Sequence, residues 1–252
     1  MLYGLYLSAS GMISSAYKQD VVANNLANSE TVGFKRDVAS FKERLTEAQQ
    51  RRLPGRSNAM LEMLGGGIFA QPTLVDTRQG EIEPTGNALD VAIEGDGYFA
   101  VTDKRGESRL TRNGQFAADK DGRLVLANGE GQAVLDPKGK PIRLLPNIPV
   151  TITQDGTITQ DKQVTGRIGV FDVADRSKLT KQGGTLIAHP EQQLVPGNGL
   201  LRSEFVERAN VDPATELSDL METQRQLEAN ANMIRYQDQT LGRLVNEVGK
   251  IS

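Results

Sequence analysis

The sequence predicts a mainly β protein with terminal α-helices: a central antiparallel β-domain flanked by N- and C-terminal helices that pair as a coiled coil. Three observations predict it. Both ends carry apolar residues at seven-residue spacing. The middle is cut into short apolar runs by Asp-Gly and Asn-Gly dipeptides, the signature of tight hairpins. The chain of 252 residues has 26 glycines against 10 prolines, a balance that points to many turns rather than to disorder.

The first helix is predicted over residues 1–28. Leu2, Ala9, Ala16 and Ala23 fall at one seam position and Leu5, Met12, Gln19 and Leu26 at the other, a narrow stripe that only Gln19 interrupts. The alanines let a partner helix approach closely. Ser8, Ser10, Gly11, Ser14 and Ser15 are weak helix formers, so the segment needs a partner to hold its shape.

The second helix opens at Asp212-Pro213, where an acceptor side chain at the cap precedes a proline whose missing N–H costs nothing in a first turn. Glu216 adds a charge of the sign that the helix dipole favours there. Leu220, Leu227, Ile234, Leu241 and Val248 then recur seven apart, interleaved with Leu217, Gln224, Ala231, Asp238 and Val245. At 1.5 Å per residue the helix runs about 55 Å, longer than one small domain needs. Two helices packed on an ordinary globular core would also carry apolar stripes, but wider ones; polar runs such as 222–226 and 235–240 flank these, which favours the coiled-coil pairing.

Between the ends the apolar period changes from about 3.6 to 2. Strands are predicted at 90–93, 98–101, 108–111, 123–126, 150–153, 157–159 and 167–171, with turns at Asp96-Gly97, Asn113-Gly114, Asp121-Gly122, Asn128-Gly129 and Asp155-Gly156. Residues 41–52 read as a short helix, and 53–67 as a flexible connection. The domain organisation that follows is a discontinuous helical coiled-coil domain of residues 1–35 and 210–252, an extended connecting region over 36–75, and a β-rich domain over 76–209.

Composition excludes several function classes. A net charge of −3 argues against a nucleic-acid partner and against a polybasic membrane anchor. No apolar run approaches the roughly 18 residues of a membrane helix, and the first residues lack the charged and apolar regions of a cleaved signal. No direct membrane insertion is expected. With no cysteine and a single histidine, disulfides, thiol nucleophiles and cysteine metal sites are ruled out.

Local motifs fail as chemistry. Asp119-Lys120-Asp121-Gly122 resembles part of a calcium loop, but that register puts Ala117 at the first ligand position and Asn128 at the last, so a hairpin turn explains it better. Gly95-Asp96-Gly97 lacks a third glycine and precedes a strand, unlike a phosphate loop. His189 has neither a serine elbow nor an acid nearby. No catalytic, cofactor-binding or metal residue is assigned, and no cofactor is expected.

What does stand out is Asn24-Asn25-Leu26-Ala27-Asn28, followed by Thr31 and by Gly33-Phe34-Lys35. Asn28 and Thr31 can bond local backbone, and Gly33 permits a turn before Phe34 docks. Three asparagines in five residues exceed what one helix cap needs, which suggests amides bonding to neighbours.

This segment resembles the N-terminal signature of the bacterial flagellar rod and hook proteins: Asn-Asn, Leu or Ile, Ala-Asn, a spacer, then Thr-x-Gly, Phe or Tyr, and Lys. The stretches 85–99 and 110–116, then Asp155-Gly156-Thr157-Ile158, are similar to that family's first β-domain. The tail from Ala209-Asn210-Val211-Asp212 through Arg225 and Asn230 is similar to the start of its C-terminal helix, with Ala209 where the family usually has serine. The length and single modest β-domain resemble the proximal- or distal-rod type.

The resemblance implies a structural subunit of the bacterial flagellar basal-body rod, polymerising into a helical tube that acts as drive shaft and export channel for motility. Its terminal helices would form an inner layer and its β-domain an outer one. Implied partners are further copies of the chain, other flagellar rod or hook proteins and the flagellar export apparatus; the implied location is the periplasmic rod, reached without a cleaved signal peptide. Family motif and assembly residues would be Asn24, Asn25, Leu26, Ala27, Asn28, Thr31, Gly33, Phe34, Lys35, Asn210, Val211 and Asp212, with Leu220, Leu227, Ile234, Leu241 and Val248 in the seam. The alternatives are a secreted β-rich enzyme using carboxylates and a coiled-coil adaptor module. An enzyme should show a pocket with converging titratable groups, whereas a tube subunit should expose apolar terminal helices.

Overall fold

The computed structural model describes residues 2–43, 67–103, 106–146, 148–190 and 193–248. It is mainly β, with one helix at each end. Helix α1 spans Leu2–Ala27 and is followed by β1 (Asp37–Glu43) and β2 (Ile68–Val75). Next come β3 (Ile82–Pro84), β4 (Val91–Glu94), β5 (Tyr98–Thr102), β6 (Ser108–Thr111), β7 (Phe116–Ala118), β8 (Leu124–Leu126) and β9 (Ala133–Val134). Strands β10 (Val150–Ile152), β11 (Thr157–Gln160), β12 (Gln163–Arg167) and β13 (Val170–Val173) precede a 3-10 turn, Arg176–Lys178. The chain closes with β14 (Thr180–Lys181), β15 (Leu186–Ala188), β16 (Leu194–Pro196), β17 (Leu200–Ser203), β18 (Phe205–Glu207) and α2 (Pro213–Val248).

Two compact units result. One comprises Met1–Leu26, Val38–Thr73 and Pro213–Ser252; the other comprises Ala27–Asp37 and Leu74–Asp212.

In the first unit, α1 carries contacts on two sides. Against the ribbon formed by β1 and β2, the Tyr17 hydroxyl donates to the Gln71 carbonyl at 2.8 Å, Ile68 N donates to Ser10 Oγ at 3.0 Å, and Tyr17 meets Phe41 edge to face. Against α2, Gly4 lies beside the Gln237 amide and Gly11 beside the Asn230 amide, where a Cβ would approach to 2.8 and 3.1 Å. The Asn25 side-chain amide donates to Glu216 Oε2 at 3.3 Å. Each step of seven or fourteen residues forward along α1 is matched by an equal step back along α2, so the helices run antiparallel.

The buried positions sit one residue away from those the apolar pattern predicts. On α1 the buried side chains are Ser8, Ser15, Val21, Val22 and Asn25, while Ala23 is exposed. On α2, Leu220, Leu227, Ile234 and Leu241 are half-buried as expected, but Leu217, Gln224, Asp238 and Val245 are exposed. Their place is taken by Glu216 and Thr223, both buried, and by the half-buried Asn230 and Gln237. The apolar pattern misplaces these buried positions because most of them are glycine, serine and polar residues that score as surface.

The second unit is built from antiparallel sheets. Its largest has the order β14-β15-β6-β5-β9-β8-β7, with β13 joining β5 and carrying β16. A separate sheet has the order β10-β11-β12, and β17 pairs with β4 and β18 with β3. Strand β5 explains why its sequence is apolar without alternation. Phe99 and Val101 enter one core with Phe116, Leu124, Val134 and Ile158, while Tyr98 and Ala100 enter another with Leu110, Val173 and Ile187.

The predicted strands at 90–93, 98–101, 108–111, 123–126, 150–153 and 157–159 all coincide with strands to within a residue or two. The predicted 167–171 run is instead two strands broken at Ile168-Gly169, where the chain leaves the β10-β11-β12 sheet for the large one. Neither Asp96-Gly97 nor Asn113-Gly114 closes a hairpin, since β4 pairs with β17 rather than β5, and β6 and β7 pair with other strands. Gly114 serves a close approach: a Cβ there would fall 1.7 Å from the Val91 carbonyl, and Val91 N donates to the Gly114 carbonyl. Phe41–Glu43, read as the start of a helix, is strand. The rest of that predicted helix and nearly all of the 53–67 connection lie outside the described residues.

Candidate functional site

The short segment after α1 is built into the second unit by glycine. Gly33 has φ +69° and its Cβ would stand 2.2 Å from Asn113 N, so no other residue fits without displacing backbone. Gly33 N donates to the Glu207 carbonyl at 2.7 Å, which lines Phe34 and Lys35 up beside the end of β18. Phe34 is fully buried, with the Lys181 ammonium 3.4 Å from its ring centroid. That ammonium also donates to Asp37 Oδ2 and to the Lys35 carbonyl. Burial holds Lys181 below the ordinary lysine range, against the opposing pull of Asp37.

Beyond Phe34 lies a buried ionic hub. The Lys35 ammonium is 2.5 Å from Glu207 Oε1, and both side chains are almost wholly hidden from solvent, 1 and 0% exposed. Arg112 Nη1 donates to Glu207 Oε2 at 2.8 Å, and Gly80 N donates to Oε1 at 3.0 Å. Both carboxylate oxygens are thus engaged by charged or backbone donors. Lys35 also donates to the Arg78 carbonyl at 2.7 Å, and Arg112 Nη2 to the Gly95 carbonyl at 2.7 Å, while the Arg112 guanidinium lies 5.2 Å from the Tyr98 ring centroid. Burial lowers the Lys35 pKa despite the Glu207 charge that opposes the shift. Burial also pushes the Tyr98 hydroxyl up to about 12.

Asn210 completes the junction. Its Oδ1 accepts from Arg36 N at 2.7 Å, and its amide donates to the Asp76 and Arg78 carbonyls, both at 3.0 Å. One side chain therefore satisfies three backbone groups from two distant segments, a use of the amide that a Ser or Ala could not repeat.

The residues selected from the sequence divide into three groups. Gly33, Phe34, Lys35 and Asn210 meet at this junction, with Val211 buried in the same unit. Asn25 is buried in the helical unit on Glu216, while Asn28 accepts from the Thr31 hydroxyl at 3.3 Å and closes the turn after α1. Asn24, Ala27 and Asp212 are exposed, and Leu26 is half-buried. Leu220, Leu227, Ile234 and Leu241 share one face of α2, and Val248 is its last residue.

Sequence reasoning missed Glu207, Arg112, Gly80 and Glu216 as site residues. Arg112 lies inside one of the family-like stretches; Glu216 carries only the signal of a helix-start charge, and Glu207 none, because an acid reads as surface until its partners are known.

The helical unit also exposes large apolar side chains. Ile13 on α1 is 68% exposed, and Tyr236 and Val245 on α2 are 67 and 70% exposed, with Leu217, Met221 and Met233 half-open and Phe69 on the ribbon.

Comparison with known proteins places these features in a family context. The model described as flagella basal body rod protein matches residues 5–35, that of the flagellar hook protein FlgE/F/G D1 domain matches 92–160, and that of the flagellar basal body rod FlgEFG protein C-terminal region matches 202–247. Lys35, Arg112 and Glu207 fall one in each of the three. The flagellar basal-body rod protein FlgG of Bacillus subtilis is 32% identical over 98% of this chain and 99% of its own length. The FlgG protein of Agrobacterium fabrum is 31% identical over 93% of this chain and 95% of its own, and the FlgF protein of Caulobacter vibrioides is 31% identical over 98% of each.

Proposed function

Since the chain belongs to the family of flagellar basal-body rod proteins, structural subunits of the rod and not enzymes, we propose that copies of it polymerise into a helical tube that serves as drive shaft and export channel. The observation that carries this reading is the solvent-open apolar surface of the helical unit, at Ile13, Tyr236 and Val245. Apolar area of this kind is stabilised by removal from water at about 25 cal/mol per Å², and identical chains can supply the cover. A contact between unlike patches on successive copies does not close on itself, and it propagates as a helix.

Within each subunit the two terminal helices pair as an antiparallel coiled coil. The matched seven-residue steps at Gly4, Gly11 and Asn25 against Gln237, Asn230 and Glu216 support this, as does the half-buried line Leu220, Leu227, Ile234 and Leu241. The junction at Lys35, Arg112, Glu207 and Asn210 anchors the segments next to both helices in the β-rich unit. In this reading the subunit meets other flagellar rod or hook proteins at the ends of its own stretch. It reaches the periplasmic rod through the flagellar export apparatus, without a cleaved signal.

The test uses concentrated purified protein imaged in negative stain, where tubes or stacks are expected. Leu227→Asp and Ile234→Asp should abolish them, each losing the burial of a half-covered side chain, about 1 kcal/mol or more, besides the cost of desolvating a charge. The strand signal in circular dichroism should persist, and Glu222→Gln, on the exposed face, should assemble normally. Normal tubes from the aspartate variants would overturn the reading.

A further inference from the structure

The apolar line of α2 cannot by itself choose how the terminal helices align. Leu220, Leu227, Ile234 and Leu241 are near-identical residues seven apart, so sliding one helix by seven residues lays leucine or isoleucine where leucine or isoleucine was. On α1, Ser8 and Ser15 exchange without change, and Val22 is the next buried member of that line. Within the helix pair, the polar contacts that distinguish these alignments lie in the other line, where Gly4 and Gly11 run against Gln237 and Asn230, Asn25 runs against Glu216, and the same spacing sets Lys18 against Thr223.

A slide in either direction has definite consequences there. In one direction Gly4 faces Asn230, Gly11 faces Thr223 and Lys18 faces Glu216, while Asn25 passes beyond Pro213, the first residue of α2. In the other, Lys18 faces Asn230 and Asn25 faces Thr223, whose hydroxyl already donates to the Asp219 carbonyl at 2.7 Å, while Glu216 passes beyond Ala27, the last residue of α1. Glycine opposite a polar amide or hydroxyl survives the first slide at both positions and the second at Gly11, which then faces Gln237, while Gly4 faces Leu244. The contact that survives neither is Asn25 on Glu216, a hydrogen bond to a carboxylate with both residues buried, 0 and 1% exposed. A polar pair in an otherwise apolar seam is the device by which paired helices fix alignment at some cost in stability.

We propose that the buried Asn25–Glu216 pair is the register determinant of the two terminal helices, selecting the observed alignment over the one displaced by seven residues that sets Lys18 against Glu216. The inference rests on the paired-helix reading given above. It gives the second asparagine of the Asn24-Asn25 pair a role distinct from helix capping. In a polymer of identical subunits, one alignment in every copy is a condition for one repeat.

The absence of cysteine makes the test direct, because two introduced thiols are the only ones in the full chain. Gly4→Cys with Gln237→Cys reports the observed alignment on oxidation, and Gly4→Cys with Asn230→Cys reports the displaced one. The parent should cross-link in the first pair alone. Adding Asn25→Ala should raise the ratio of displaced to observed cross-link at least about tenfold, in keeping with loss of a buried hydrogen bond to a charged group. The exchanged pair, Asn25→Glu with Glu216→Asn, should return the parent ratio. An unchanged ratio in Asn25→Ala overturns the proposal. If Asn25→Ala instead loses both cross-links and its helix signal, the exchanged pair decides: recovery of the parent cross-link supports the proposal, and failure to recover it overturns it. A parent that cross-links in neither pair overturns the paired-helix reading itself, a result distinguishable from the others.

Discussion

The Lys35 ammonium and the Glu207 carboxylate meet at 2.5 Å across 172 residues of sequence, both inside the protein. The pair joins the segment that follows the first helix to the strand that precedes the second. Arg112 makes it a triad, so Glu207 is the one acid between two cations. Removing the acid and removing one cation are therefore not equivalent changes.

Glu207→Gln should cost about 3–5 kcal/mol, because it leaves two buried cations without their counter-charge. Lys35→Met should cost less, about 1–3 kcal/mol, since Glu207 keeps Arg112 and Gly80 N, and the Arg78 carbonyl keeps Asn210. Urea unfolding followed by the strand signal in circular dichroism measures both. A larger loss in Lys35→Met than in Glu207→Gln would mean that the acid is not the centre of the junction.

Glycine substitutions should separate backbone conformation from close approach. Gly129 has φ +77° with open space around it, so Gly129→Ala should lose only the left-handed penalty of about 1–2 kcal/mol. Gly33→Ala adds a collision with the Asn113 backbone and should lose about 3 kcal/mol or more. Denaturation midpoints of the two variants, measured side by side, should differ in that order.

Acid should weaken the β10–β11 hairpin in a defined window. The Thr153 and Thr157 hydroxyls and Thr157 N donate to Asp155, holding its carboxyl at about 2 against an ordinary value of 3.8. The ionised form is the one the fold favours, so its contribution is complete above pH 3.8 and is lost as pH falls towards 2. Asp76, bonded by the Arg78 side chain, and Asp119, bonded by Arg123 N, shift in the same direction. Melting temperature should fall from pH 5 to pH 2.5 in the parent and fall less in Asp155→Asn. Equal falls in the two would show that this carboxylate keeps its ordinary pKa.

Exposed apolar residues should matter to assembly and not to folding. Ile13→Ser and Tyr236→Ser remove side chains that are already two-thirds in water, so the melting temperature of dilute protein should move by no more than the effect of about 0.5 kcal/mol usual for surface changes. Sedimentation at high concentration should show smaller assemblies than the parent. Destabilised monomers would mean that these residues are covered within the subunit instead.

Much of this protein was legible before any fold was known. Seven-residue periodicity is a property of helix geometry alone, so both terminal helices and the apolar line Leu220, Leu227, Ile234 and Leu241 follow from spacing. Turn chemistry is equally local, which is why Asp121-Gly122 and Asp155-Gly156 mark real hairpins. The motif at Asn24–Lys35, with its partners along the chain, pointed to the flagellar rod family by order and residue type.

The tertiary structure decided what those residues touch. Asn113-Gly114 reads as a turn like the others, and only the Val91 carbonyl lying against Gly114 shows that the glycine is there for room. The short strands from β14 to β18 were not picked out by local pattern, and their pairing partners hold them in place. Gly4, Gly11, Ser8 and Ser15 are invisible to a search for apolar stripes, so the buried positions of the first helix lie one residue away from those the spacing marks. Glu207 and Glu216 are charged and would belong on the surface by composition. They are buried because Lys35, Arg112 and Asn25 arrive from distant points in the chain to meet them, and such long-range complementarity has no trace in any local window of sequence.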